Sequence, residues 1–438
     1  MEGLIMTAQL LLGLSILVGL HEFGHLIAAK MFGMKVEKYS IGFPPKIWGF
    51  QYGETEYSIG AIPLGGFVKI SGMIDESLDT KSLNAEPEPW EFRAKPAWQR
   101  LVVMMGGIVV NVITGVIIYV ALVYSQGESY ISKDEFNKHG IFAHDLAQEI
   151  GLQTGDKIIK INGKDFDRFS DIRSGNVLLG DNSYYTVLRN GETIDIQIPN
   201  DFLNHLTDKN QTVPFVDIRF PFKVDRLAPG AEAETAGLKP NDIFKTVDEH
   251  VIKYFDEFRD VLNKNSGKEI TAVVDRDGTE KELTFNVSDE GTIGFFPEML
   301  IDITRIEFSF GESLSRGSEQ AFAAVWLNVK GIGKMFKGDV DPRKGLSGPM
   351  GIAQMFGGTW NWLRFWTLTG LLSMVLAFMN FLPIPALDGG HVMFLTYEMV
   401  SGRKPSDKFL EGAQKVGMVI LLALMVFVIG NDFFKILS

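Results

Sequence analysis

The sequence contains no cysteine, so disulfides, thiolate metal sites and a cysteine nucleophile are all excluded. It also lacks an excess of positive charge. The formal net charge is −12, whereas a nucleic-acid-binding surface would be basic, so we expect no nucleic-acid partner. No lysine or arginine precedes Lys30, so the apolar N-terminal stretch lacks the basic region of a cleaved signal peptide. We therefore interpret that stretch as a membrane span.

Uncharged stretches divide the sequence into membrane and non-membrane segments. Residues 4–20, 101–124, 365–387 and 416–430 carry no charged side chain. About 20 apolar residues are enough to cross a bilayer as a helix. The first stretch is long enough if it continues through residues 21–29, and the last is the shortest of the four. The pattern predicts a polytopic α-helical membrane protein with about four transmembrane helices.

Basic residues predict the orientation of these spans. Positive charge is concentrated on the cytoplasmic side of membrane proteins. Lysines follow the first span, and four basic residues lie between the third and fourth: Arg403, Lys404, Lys408 and Lys415. Both of these loops are therefore predicted to be cytoplasmic. Both termini and the segment from about 125 to 362 would lie on the other side, which in a bacterium is the periplasm, so we expect a multi-pass protein of the inner membrane.

The large segment between the second and third spans contains an internal repeat. The sequence GLQTGDKI at 151–158 matches GLKPNDIF at 237–244, and RNG at 189–191 matches RDG at 276–278. Asn-Gly and Asp-Gly between alternating apolar runs are typical of tight β-hairpins. We therefore predict two copies of one small, strand-rich domain.

The first span contains the sequence HEFGH at 21–25. Side chains four positions apart share one face of a helix, so His21 and His25 can reach the same metal ion. Glu22 can then act as a general base toward a water molecule at that metal. Polar residues inside a span are costly, which favours a functional role. The alternative is an interhelical hydrogen-bond cluster without metal.

Two histidines leave a zinc site short of a protein ligand. The third span ends in NFLPIPALDGGH at 380–391, where Pro383 and Pro385 predict a break in the helix. Asp388 follows directly, and the two glycines after it allow close approach of the chain. We expect Asp388 to be the third ligand, with His391 as a rival. A kinked helix end with a solvated Asp388 is the alternative.

These two motifs together resemble the site-2 protease family of intramembrane zinc metalloproteases. The run VDRLAPGAEAETAGLKPND at 224–242 resembles bacterial PDZ domains, and two such domains between the second and third spans are similar to the regulator of sigma-E protease branch. Other stretches agree with this branch, including Gly107 and Asn111 in the second span. Ile108 departs from the family pattern, which often has proline there.

The resemblance implies roles for individual residues. His21, His25 and Asp388 would hold one Zn²⁺ per chain, and Glu22 would be the general base. Asn380 matches a family position associated with holding substrate, although a buried amide that pairs across helices is an equal alternative.

The resemblance also implies a small sheet close to the active site. The sequence predicts a hairpin with strands at 47–52 and 55–62, followed by Gly65, Gly66 and Phe67. An added substrate strand could satisfy its backbone groups there. The alternative is a cytoplasmic hairpin without a substrate role. Residues 311–337 have an amphipathic spacing that suits either the membrane surface or simple packing.

We therefore predict five segments: a first membrane segment at 1–124, PDZ domains at 125–221 and 222–309, an amphipathic region at 310–362 and a second membrane segment at 363–438. The expected function is zinc-dependent cleavage inside the membrane. The resemblance implies single-span substrates already trimmed by an upstream site-1 type protease, such as an anti-sigma factor, and leftover signal peptides.

Two alternative functions stay open at this point: a membrane-anchored PDZ scaffold with a structural metal, and a metal-ion transporter that uses the same polar residues. The role of the PDZ pair is also open. The pair could bind peptide ends, or it could act as a spacer or as a filter that excludes bulky substrates.

Overall fold

The computed structural model describes residues 1–73, 86–206 and 215–437. Residues 74–85 and 207–214, which fall within the predicted segments 1–124 and 125–221, lie outside the described residues. The chain divides into two compact units. The first comprises Met1–Gly127, Glu307–Phe336 and Asp341–Ser438, and the second comprises Glu128–Ile306 and Lys337–Val340.

The chain begins with two long helices and an intervening sheet: α1 (Glu2–Met31), β1 (Val36–Tyr52), β2 (Thr55–Ile70) and α2 (Ala97–Gln126), with a short 3₁₀ turn at Phe92–Ala94 before α2. Both helices are apolar along most of their length, as the uncharged stretches predict. The hairpin turns at Gly53 and Glu54, the predicted position.

The hairpin strands are much longer than the predicted 47–52 and 55–62, because each one bends and pairs twice. Residues 38–41 of β1 pair with 56–59 on one side and with 66–69 on the other. Residues 66–70 therefore form one edge of the sheet. Val36 and Ile70 are buried against α1 and α2, and this burial extends the pairing beyond the predicted strands.

The second unit begins with the first copy of the repeat. Its elements are β3 (Glu128–Tyr130), α3 (Lys133–Asn137), β4 (Ile141–Ala143), α4 (Asp145–Glu149), β5 (Lys157–Ile161), α5 (Phe169–Ile172), α6 (Gly175–Leu178), β6 (Tyr184–Arg189), β7 (Glu192–Gln197), α7 (Phe202–Leu206) and β8 (Val216–Ile218). Strands β5, β6 and β7 form one antiparallel sheet, and β4 pairs with β8. The predicted hairpin turn is present, with Asn190 and Gly191 both at positive φ.

The second copy repeats this order. Its elements are β9 (Phe222–Leu227), α8 (Glu232–Thr235), β10 (Ile243–Val247), β11 (His250–Val251), α9 (Phe255–Lys264), β12 (Glu269–Arg276), β13 (Thr279–Asn286), β14 (Phe295–Met299) and β15 (Thr304–Ile306). Strands β10, β12 and β13 form a sheet like that of β5, β6 and β7, and β9 pairs with β14 as β4 pairs with β8. Strand β15 returns to pair with β3.

The repeated sequence residues make the same ion pair in each copy. Arg189 donates to both carboxylate oxygens of Asp156, and Arg276 does the same to Asp242, with every nitrogen–oxygen distance at 2.7 or 2.8 Å. Each carboxylate hydrogen-bonds its guanidinium and so raises the pKa of the arginine. Both aspartates are almost fully buried, so the pairs tie each sheet to the preceding loop.

The last part of the first unit is helical: α10 (Phe310–Lys337), α11 (Pro342–Gly345), α12 (Pro349–Phe356), α13 (Trp362–Phe381), α14 (Asp388–Ser401) and α15 (Asp407–Leu437). Helix α13 ends before Pro383 and Pro385, as these prolines predict. Helix α15 is about twice as long as the uncharged stretch 416–430. Within the described ranges, four helices are long and apolar enough to cross a membrane: α1, α2, α13 and the Lys408–Lys435 part of α15.

The amphipathic stretch forms α10 and packs through its small residues. Ser313, Gly317 and Ala321 are buried, and a Cβ at Gly317 would lie 2.6 Å from the backbone of Val120 in α2. Trp326, on another face, is exposed. Packing therefore explains the small-residue face of α10. The aromatic face of α10, which contains Phe322 and Trp326, is left partly exposed.

Candidate active site

Helix α1 presents the two histidines to helix α2. His21 and His25 lie one turn apart and are 7% and 5% exposed. The helices touch where Gly24 meets Gly106, because a Cβ on Gly24 would lie only 2.3 Å from the Gly106 carbonyl oxygen. The next residue, Gly107, lies directly beneath both imidazole rings. The glycines thus allow α2 to form the floor of the site.

Asp388 enters the site from the broken end of α13. The chain between α13 and α14 is not helical, and Ala386 adopts a φ of +83°. Asp388 is the first residue of α14, where the helix dipole stabilises a carboxylate. A Cβ on Gly389 would lie 2.1 Å from the Leu382 carbonyl oxygen, so the close approach predicted for the two glycines is required here.

Three ligand atoms from these segments form a compact triangle. His21 Nε2 lies 3.0 Å from Asp388 Oδ2 and 3.2 Å from His25 Nε2, and His25 Nε2 lies 3.3 Å from Asp388 Oδ2. Tetrahedral zinc bound at 2.0–2.1 Å separates its ligand atoms by about 3.3 Å. Among the described residues, Asp388 Oδ2 is buried and has no hydrogen-bond donor. The triangle therefore fits one face of a zinc coordination sphere.

Glu22 lies next to this triangle, in a cavity of about 670 Å³ that is lined by His21, His25, Asp388 and the 65–70 segment of β2. Val68 lines the same cavity beside Glu22. A Cβ on Gly66 would lie 3.5 Å from Glu22 Cγ and 2.6 Å from the Ser40 carbonyl oxygen. The edge of the sheet and the Glu22 side chain thus face the same space.

Asn380 and His391 both line this cavity, but they differ in their contacts with the three ligand residues. Asn380 Nδ2 lies 3.3 Å from His21 Nε2, so the predicted substrate residue is at the centre itself. His391 Nε2 contacts the Gln414 side chain at 3.4 Å. Within the described residues, the group that could hold a metal contains His21, His25 and Asp388, without His391.

Three residues of α2 without a predicted role also contact the histidines: Val103, Gly107 and Asn111. Gly107 underlies both rings, and Asn111, which is fully buried, places Nδ2 3.1 Å from His21 Nδ1. His25 Nδ1 is bound in turn by the Val103 carbonyl at 2.8 Å. The available signal was their spacing, since Val103, Gly107 and Asn111 lie four residues apart and share one face of α2.

Comparison with known proteins assigns the chain to a family. The model of peptidase family M50 matches residues 9–424. The chain belongs to peptidase family M50. Similar curated proteins include a putative zinc metalloprotease of Vibrio cholerae, 28% identical over 97% of this chain and 98% of the relative. The regulator of sigma E protease of Haemophilus influenzae is 29% identical over 97% and 98%, and the regulator of sigma-E protease RseP of Escherichia coli is 28% identical over 98% of each chain.

Membership of the M50 family decides the class of enzyme and its metal. The protein is a zinc metalloendopeptidase of the site-2 protease type, and the His-His-Asp group fits that metal. Its relatives and the four candidate spans among its described residues indicate a bacterial inner-membrane protein that acts on membrane proteins.

Proposed function

We propose that this M50 peptidase cleaves peptide bonds within the transmembrane segments of single-span proteins. His21, His25 and Asp388 hold one zinc ion per chain, and Glu22 is the general base. The observation that carries the proposal is the triangle of ligand atoms, 3.0–3.3 Å on each side, with Glu22 in the same cavity between apolar helices. In this proposal the metal site lies within the membrane, where a substrate helix could reach it.

The reaction requires proton transfer at a fixed position. When bound, zinc acts as a Lewis acid that makes water a nucleophile at neutral pH. Glu22 accepts the proton from that water and later delivers it to the leaving amine. Glu22 lines the same cavity as the three metal ligands, so its carboxylate is close enough for both transfers.

A substrate helix must become extended before it can be cut, because its carbonyl groups are hydrogen-bonded within the helix. Residues 66–70 form a sheet edge beside Glu22 and pair on one side only with 36–41 among the described residues. We propose that a substrate strand adds to this edge, where its backbone groups find partners. Gly65, Gly66 and Phe67 line this position, and Asn380 holds the strand near the metal.

The strand-rich copies restrict which substrates are cleaved. We assign them as PDZ domains at 125–221 and 222–309, on the periplasmic side with both termini, and the loops after the first and third spans to the cytoplasm. In this proposal they exclude bulky extracytoplasmic domains. Substrates are therefore proteins already trimmed by a site-1 type protease, anti-sigma factors among them, and signal-peptide remnants.

The alternative of a scaffold with a structural metal is disfavoured by the ligand count. Structural zinc sites are closed by four protein ligands, whereas catalytic sites keep an open position. The described residues bring three such ligands together. The three ligand residues line the cavity that also contains Glu22, which leaves room for water and substrate beside them.

A cleavage assay tests the proposal. The purified chain in lipid vesicles is incubated with a panel of single-span peptides, and products are identified by mass spectrometry, with and without a chelator. We expect cuts within the transmembrane segment that stop with the chelator and resume when zinc is restored. Zinc flux across the vesicles without peptide products would instead support a transporter.

A further inference from the structure

The two histidines differ in the group that contacts Nδ1, the ring nitrogen that is not part of the triangle of ligand atoms. His25 Nδ1 lies 2.8 Å from the Val103 carbonyl oxygen. A carbonyl only accepts hydrogen bonds, so Nδ1 carries the proton. Nε2, which points at His21 and Asp388, therefore keeps its lone pair for a metal. The backbone of α2 has fixed the tautomer of His25.

At His21, a side chain rather than a backbone carbonyl contacts Nδ1. The nearest partner of its Nδ1 is the amide of Asn111, with Nδ2 at 3.1 Å. In this orientation the amide donates to Nδ1, so the ring proton of a neutral His21 would occupy Nε2. That atom lies within 3.3 Å of two other ligand atoms and must be free of its proton to bind zinc.

The oxygen of the same amide indicates the opposite orientation. Asn111 Oδ1 is buried and accepts no hydrogen bond from the described residues. The oxygen and nitrogen of an amide are distinguished by their hydrogen bonds rather than by their shape. With the amide rotated by half a turn, Oδ1 accepts the proton of His21 Nδ1. His21 then has the same tautomer as His25.

We propose that Asn111 is a positioning residue whose Oδ1 accepts the Nδ1 proton of His21 and thereby directs the Nε2 lone pair to zinc. The inference rests on the proposed metal site. Asn111 is well placed for this role because Ser373 of α13 donates to its backbone oxygen at 2.7 Å. This hydrogen bond links Asn111, which lies in α2, to another candidate span, α13. Replacing the hydrogen-bonded partner of a ligating histidine commonly weakens metal binding by about 10- to 100-fold.

Zinc affinity, measured by chelator competition on the purified full-length chain, tests the role independently of activity. Asn111→Leu keeps the approximate shape and removes the acceptor, and we expect zinc to bind about 10- to 100-fold more weakly. Asn111→Asp keeps an acceptor and cannot donate, and we expect affinity within a few-fold of the wild type. The matched control is Asn328→Leu in α10, where the amide donates to the Ala324 carbonyl, and it should bind zinc normally.

Each result bears on a distinct claim. Unchanged affinity in Asn111→Leu would overturn the inference while leaving the metal site in place. Equal losses in the Leu and Asp variants would also overturn it, because the donor and not the acceptor would then be needed. If Asn111→Leu is not recovered folded, Asn111→Asp decides alone, since retained affinity supports an acceptor and a loss contradicts it. A wild-type chain that binds no zinc would overturn the proposed function and this inference together.

Discussion

A Cβ atom on Gly107 would lie 2.5 Å from Nε2 of His25 and 2.6 Å from Cε1 of His21. Real Cβ atoms do not approach other atoms so closely, and the two rings are held in place, His25 by the Val103 carbonyl and His21 by the Asn111 side chain. The space for two imidazoles at the α1–α2 crossing therefore exists because position 107 has no side chain.

Gly107→Ala should displace the imidazoles from the triangle that they form with Asp388. We expect zinc occupancy to fall about tenfold or more, because ligand positions must hold to within about 0.5 Å. The measurement is zinc content after equilibration with a chelator, together with the helical content by circular dichroism. Gly430→Ala in α15 is the control, since its Cβ meets nothing within 4 Å. Equal zinc content in the two variants would contradict this account of Gly107.

Glu22→Gln separates catalysis from metal binding. The amide retains the shape of the side chain but cannot accept the proton. We expect the rate of peptide cleavage to fall by about 100- to 10,000-fold, while zinc content stays at one per chain. Cleavage rate and zinc content are measured on the same preparation. A fully active variant would remove Glu22 from the mechanism.

Asp388→Ala should remove zinc, because it deletes one corner of the triangle, while the fold is retained by the long helices of the first unit. His391→Asn is the comparison, since His391 lines the cavity and contacts Gln414 rather than the metal group. We expect that variant to keep its zinc. The opposite result, with zinc kept in Asp388→Ala and lost in His391→Asn, would show that the third ligand is His391.

Local patterns in the sequence predicted much of this arrangement. The four-residue spacing of His21 and His25 placed both on one helix face, and Pro383 and Pro385 predicted the break that delivers Asp388. Tight-turn residues predicted the hairpin positions. The contacts of Gly107 and Asn111 could not be predicted, because they depend on where two helices cross. The doubled pairing of residues 38–41 was missed for the same reason, since strand periodicity does not reveal which segments meet.

The bidentate pair of Arg189 and Asp156 should contribute strongly to the stability of the second unit. Arg189→Met leaves a carboxylate that is 2% exposed without its counter-charge. Breaking such a buried pair typically lowers the free energy of unfolding by about 3–5 kcal/mol. Urea unfolding, followed by hydrogen exchange in β5, β6 and β7, measures the loss.

Lys264→Met provides the control for this loss. Its pair with Asp260 is exposed on α9, and pairs of this kind contribute about 0.5 kcal/mol or less. We therefore expect little change in urea unfolding. Similar losses in Arg189→Met and Lys264→Met would mean that burial does not strengthen the Arg189–Asp156 pair.

The proposed filter is testable because the two ends of the strand-rich segment meet. Strands β3 and β15 pair directly, with Glu128 opposite Ile306 and Tyr130 opposite Thr304. Opposed residues in antiparallel strands lie about 5 Å apart, so a short linker can replace residues 128–308 without stretching the chain. We expect this deletion variant to cleave untrimmed single-span substrates that the full chain rejects, and to cleave trimmed ones at an unchanged rate. Glu22→Gln in the same variant should abolish both activities. If the deletion variant cleaves trimmed substrates normally but still rejects untrimmed ones, the selectivity resides elsewhere, for which the exposed aromatic face of α10 is the next candidate.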